Sequence, residues 1–150
     1  MDRQKIHMEF PVAGGNFNAA GEAASKIKNI LKQLGIPYEI IKRVAIASYE
    51  AEMNIVLYAS EGKLCVDIEP GEVFVAARDR GPGIPDLEKA MQEGFSTASP
   101  TIREMGFGAG MGLPNIKKAS DWMHIESELE KGTELRFRIS LDGKANAKKD

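Results

Sequence analysis

The chain has 150 residues, enough for one domain with a genuine core and too few for a comfortable second. Its composition, 43% hydrophobic and 28% charged, is that of an ordinary globular domain, and a formal net charge of −2 argues against general affinity for nucleic acid. The single cysteine, Cys65, excludes an internal disulfide and fits a reducing cytoplasm, and no run nears the roughly 18 apolar residues of a membrane span.

The first ten residues carry charge throughout and lack the apolar stretch of a signal peptide. Ile6, Met8, Phe10 and Val12 alternate with polar residues, which predicts a half-buried strand. Phe17, Ala20, Ala24, Ile27, Leu31 and Leu34 recur at helical spacing, so one helix is expected over 17–34, with Asn16 as N-cap and Gly35 as the stop. After Ile36-Pro37 a second helix is expected over 39–60, with Ile40, Val44, Ala47, Ala51 and Ile55 as its core stripe.

Two short strands, 63–68 and 73–78, flank the turn at 69–72, and a short helix follows over 86–93. Residues 94–112 hold five glycines and little apolar periodicity, the pattern of a long functional loop. A helix with Pro114 in its first turn spans 113–121, and strands 122–129 and 133–141 form a closing hairpin. Residues 1–142 thus read as one domain and 143–150 as a polar tail. Helices and hairpins without strict βαβ alternation predict an α+β, two-layer sandwich on a mostly antiparallel, mixed sheet.

Three segments can carry chemistry. Glu50 and Asn54, four apart on the second helix, share a face that Tyr58 continues. The carboxylate can take a proton, and the amide oxygen can ligate Mg²⁺ when phosphates supply the other ligands. An isolated pair of this kind is ordinarily a solvated helix face. Asp79-Arg80-Gly81-Pro82-Gly83 closes an apolar strand. Its Asp can accept from an exocyclic amine and its glycines let a flat ring approach, although Asp, Gly and Pro also make plain turns. Gly106, Gly108, Gly110 and Gly112 alternate up to the helix start Leu113-Pro114-Asn115, where exposed N–H groups and the helix dipole favour phosphate.

No P-loop or protein-kinase motif is present, and Met111 and Leu113 break either register of a dinucleotide-binding glycine motif. His7 and His124 fall on strands, with no zinc-binding spacing, and Cys65 lies among Leu64 and Val66 as a core residue rather than a nucleophile.

In this order, Glu50-x-x-x-Asn54, Asp79-x-Gly81-x-Gly83, Gly108-x-Gly110-x-Gly112 and Gly132-Thr133 resemble the boxes of the GHKL domain shared by gyrase, Hsp90, histidine kinases and MutL. The resemblance covers nearly the whole chain and implies the Bergerat ATP-binding fold. It also implies Asp79 on the adenine amino group, Thr133 beside that ring edge and Asn54 on Mg²⁺. Gly106 to Gly112 and Leu113 would lie at the phosphates.

Within that group the chain most resembles the bacterial anti-sigma factor/serine kinases. The resemblance rests on Glu50-Ala51 with Asn54-Ile55-Val56 and on Ser127-Glu128 with Lys131-Gly132-Thr133. Tyr58, where that group often has His, and Gly94-Phe95-Ser96-Thr97-Ala98, closer to histidine-kinase lids, depart from it. The resemblance implies Mg·ATP-dependent phosphorylation of a STAS-type anti-anti-sigma protein on serine or threonine, with Glu50 as the base. It implies a sigma factor as second partner, often held by a homodimer of the kinase. Arg103 and Arg80 are candidates for phosphate contacts, although a solvated surface charge is the better explanation, since most arginines are surface residues. A histidine-kinase catalytic fragment, or a module that binds ATP without transfer, stay open as alternatives. Of these, self-phosphorylation within the chain would fall to His7, on a predicted strand.

Overall fold

The computed structural model describes residues 5–92 and 112–142. Most of the glycine-rich loop, including Gly106, Gly108, Gly110 and Arg103, lies outside them, as does the polar tail. The elements in order are β1 (Ile6–Ala13), a 3-10 turn (Phe17–Ala19), α1 (Glu22–Gln33), α2 (Tyr38–Tyr58), β2 (Glu61–Glu69), β3 (Glu72–Arg80), α3 (Leu87–Ala90), α4 (Gly112–Ala119), β4 (Trp122–Glu128) and β5 (Gly132–Ser140). The strands form one sheet in the order β1-β2-β3-β5-β4, antiparallel at all four pairings. The α+β expectation is met, but the sheet is not mixed: consecutive strands joined by hairpins, with the remaining neighbours also running opposite, leave no parallel pair among the described residues.

Alternation along the strands divides the sheet into two faces. Leu64, Val66, Ile68, Val73, Val75, Ala77, Leu135, Phe137 and Ile139 point to the helices and form the core with Ile27 and Leu31 of α1 and Ile116 of α4. All five residues of the stripe expected on α2 are buried there. The other face carries one cross-strand row of His7, Asp67, Phe74, Arg138 and Trp122. Cys65 belongs to this second face, not to the core under the helices. It is buried nonetheless, with the Arg78 guanidinium 3.8 Å from its sulfur, and burial pushes its thiol pKa up.

The helix expected over 17–34 is two elements. Asn16 does cap, its Oδ1 accepting from the Ala19 N–H at 3.3 Å, but it caps only the 3-10 turn. The chain extends at Ala20, passes through Gly21 at φ 96°, and starts again as α1. Leu34, expected in the stripe, is 45% exposed, because α1 ends one residue before it. Gly35, at φ 76°, is the stop that the sequence indicates.

What allows the restart is a remote carboxylate. Glu52 of α2 is 2% exposed, and its Oε2 accepts from the N–H groups of Gly21 (3.0 Å) and Ala23 (3.2 Å) while Oε1 accepts from Ala24 (2.9 Å). These are donors that a helix start leaves without intrahelical partners, and the negative charge sits at the positive end of the α1 dipole. Charge-assisted bonds of this kind contribute roughly 1.5–3 kcal/mol each when one partner is removed, though not additively. Glu52→Ala is therefore expected to lower the unfolding free energy by at least about 3 kcal/mol, read as a reduced urea midpoint. A loss under about 1 kcal/mol would mean that water replaces the carboxylate as a cap.

Candidate functional site

Asp79 lies near the end of β3, opposite Gly62 on β2 and Thr133 on β5. Its Oδ1 accepts from the Thr133 N–H at 3.1 Å. Burial pushes its carboxyl pKa up, and the Thr133 N–H offsets that in part. A half-buried carboxylate with one backbone donor can take a further donor from a ligand, which is what an exocyclic amine supplies.

Two glycines are obligatory around this aspartate. A Cβ on Gly132, at φ 145°, would fall 2.0 Å from the Asp79 carbonyl oxygen. One on Gly83, at φ 80°, would fall 2.6 Å from the Glu128 carbonyl oxygen. The first glycine box is thus pressed against the β4–β5 turn, and Glu130 N–H to Pro82 O at 2.8 Å holds the two together. Gly81 sits against the end of α2, where an added Cβ would meet Ala59 and the Tyr58 carbonyl at 3.1–3.2 Å. Arg80 forms an exposed ion pair with Glu61 at 3.2 Å.

Ser127 of β4 ties this corner together. Its Oγ accepts from the Ile84 N–H at 2.7 Å and lies 2.9 Å from Thr133 Oγ1. The Thr133 hydroxyl expected at the ring edge is therefore already bonded within the protein.

The second corner is on α2. Glu50, Asn54 and Tyr58 are all half-buried, on one i, i+4 row beside the core stripe. Helix α4 packs across this row. A Cβ on Gly112 would lie 3.3 Å from Glu50 Oε1 and 3.4 Å from Asn54 Oδ1. The last glycine of the second box thus meets both carboxylate and amide, residues 58 or more positions away in the chain. Asn115, one turn on, donates through Nδ2 to Glu50 Oε2 at 3.2 Å. Leu113 turns its side chain into the core (8% exposed), so only its backbone is available to a ligand at the start of α4.

Sequence reading gathered Glu50, Asn54, Asp79, Gly81, Gly83, Gly112 and Thr133, and the fold brings them to two corners bridged by the end of α2. Ser127, Asn115 and Glu52 carry no such motif: their contacts to Ile84, Glu50 and the start of α1 join residues far apart in the chain. For Asn115, an amide in the first turn after a glycine box was the one available signal.

No helix among the described residues is long and apolar enough to cross a membrane. The histidine kinase-like ATPase domain family matches residues 16–139. The serine/threonine-protein kinase RsbT of Bacillus subtilis is 34% identical over 113 residues, 73% of this chain and 79% of the relative. An anti-sigma F factor of Clostridium botulinum is 31% identical over 144 residues, 92% of this chain and 95% of the relative. Among solved structures, the SiaB-SiaC complex from Pseudomonas aeruginosa contains a chain with the same fold, at TM-score 0.59 and 16% identity, covering 89% of this chain and 88% of that one. The chain belongs to the histidine kinase-like ATPase domain family and, within it, to the ATP-using branch of anti-sigma factors and serine/threonine-protein kinases.

Proposed function

We propose that this protein is an anti-sigma regulatory kinase of the cytoplasm that phosphorylates a STAS-type anti-anti-sigma partner on serine or threonine, using Mg·ATP. The observation that supports the reading is the approach of Gly112, the last glycine of the second box, to Glu50 and Asn54, the two residues we assign as base and metal ligand. Asp79 accepts from the adenine amino group, and the glycines beside it let the box close against the β4–β5 turn and the end of α2, which holds that carboxylate in place. Asn54 offers its amide oxygen to Mg²⁺, and the start of α4 with the 106–112 glycines holds the phosphates.

When bound, ATP supplies the γ-phosphoryl group. The acceptor oxygen bonds to phosphorus as the bond to the β–γ bridging oxygen breaks, and ADP leaves with that electron pair. Glu50 receives the hydroxyl proton, and Asn115 keeps its carboxylate pointed at the acceptor.

Self-phosphorylation on His7 is the less favoured reading. His7 stands on the sheet face opposite α2, its Nδ1 2.6 Å from Asp67 and its Nε2 3.0 Å from Glu9. Both contacts raise its pKa, Glu9 foremost, and each ring nitrogen is already engaged by a carboxylate rather than open to phosphorus. Incubation of the full chain with radiolabelled ATP, Mg²⁺ and purified STAS-domain proteins tests the proposal. Acid-stable label on a partner serine or threonine is expected, and chelation of Mg²⁺ should remove it. Acid-labile label on histidine, or tight ATP binding without any transfer, would overturn it.

A further inference from the structure

Helix α2 continues past Glu50 toward its N-terminus as an arc of partly exposed side chains. Ile46 is 42% exposed, Tyr49 39% and Tyr38 67%, and Lys42 is also exposed. At about 100° per residue, Ile46 lies about 40° round the helix from Glu50, Lys42 about 80° and Tyr49 about 100°, all to the same side. Ile46 is about 6 Å along the axis from Glu50, one turn away. One flank of the arc is the start of α1, where an added Cβ on Gly21 would lie 3.4 Å from the Tyr49 ring. The other is α4, which Arg43 holds through the Ala119 carbonyl and the Asp121 carboxylate, both at 2.9 Å. An exposed isoleucine and tyrosine between two packed helices carry no weight in the core. They form an apolar shelf on the rim of the transfer site.

We propose that this shelf seats the protein substrate. The proposal rests on the kinase reading above. An acceptor hydroxyl has to come within about 3 Å of the Glu50 carboxylate. A folded partner that brings it there covers about 800 Å² of this protein, far more than one helical turn. The surface next in line is Ile46 with Tyr49, rimmed by Lys42. The partner that fits is a folded domain with an apolar residue beside its acceptor serine or threonine, and a carboxylate facing Lys42. A small hydroxyl compound would reach Glu50 without touching the shelf.

Initial rates of transfer against the concentration of the STAS-domain protein that the wild-type chain phosphorylates provide the test. Ile46→Asp should raise the partner KM at least tenfold, while kcat at saturating partner stays within twofold and the ATP Kd is unchanged. Lys42→Glu should raise the same KM several-fold and steepen no ATP effect, and Ile46→Leu should behave as wild type. An unchanged partner KM in both Ile46→Asp and Lys42→Glu would overturn the shelf while leaving the kinase reading intact. So would a parallel loss of ATP binding in Ile46→Asp, which would make Ile46 structural. If the wild-type chain labels no STAS-domain protein at all, the kinase reading fails, and the shelf with it.

Discussion

Asp79→Asn is expected to weaken ATP binding at least about a hundredfold, equivalent to about 3 kcal/mol, in a protein that unfolds at nearly the wild-type temperature. The change is isosteric, so its effect comes from hydrogen-bond direction alone. The carboxylate accepts from the Thr133 N–H on Oδ1 and has an oxygen left for the adenine amino group. An asparagine has one oxygen and one NH₂. If the oxygen keeps Thr133, the NH₂ faces the adenine amine, donor against donor. If the side chain flips, the amine is satisfied and the Thr133 N–H is left opposed. Either way one half-buried donor is unpaired and a charge-assisted bond is lost, each worth roughly 1–3 kcal/mol. Isothermal titration with ATP, with thermal unfolding as the folding control, measures both quantities. A folded Asp79→Asn protein with wild-type affinity would mean that the adenine does not sit at this aspartate.

Much of this site was legible because its parts recur at short, regular spacing. Glu50 and Asn54 are one helical turn apart, and the periodicity that buries Val44, Ala47 and Ala51 also fixes which way that pair faces. Asp79 closes a strand whose alternation is plain, and Gly132-Thr133 opens another. The strand register then sets Asp79 opposite Thr133 without any further signal. What stayed hidden depends on contacts between distant residues. Nothing near Gly21 indicates that a helix can restart there, since its cap is the side chain of Glu52, 31 residues away. A glutamate at position 52 also reads as a surface residue by type, and it is buried only because three backbone donors meet it. Leu34 fits the helical period, yet the period says nothing about α1 ending at Gln33. Asn115 and Glu50 are 65 residues apart, and only the packing of α4 on α2 makes them partners.

That last contact decides how Glu50 should be tested. Glu50→Ala is expected to leave the ATP Kd within about threefold and to lower kcat for transfer by about 10²–10⁴, the ordinary contribution of a positioned base. Alanine removes two things at once, however: the proton acceptor and the anchor for Asn115 at 3.2 Å. Glu50→Gln separates them. Its amide oxygen can still accept from Asn115 Nδ2, so α4 and Gly112 keep their seats, but an amide does not take up the acceptor proton near neutral pH. A base therefore predicts that Gln is about as slow as Ala. An anchor predicts that Gln recovers most of the wild-type rate. Single-turnover transfer to the STAS-domain protein, with ATP affinity measured in parallel, distinguishes the two. Recovery in the Gln protein would move the base to another residue and leave Glu50 as the residue that positions α4.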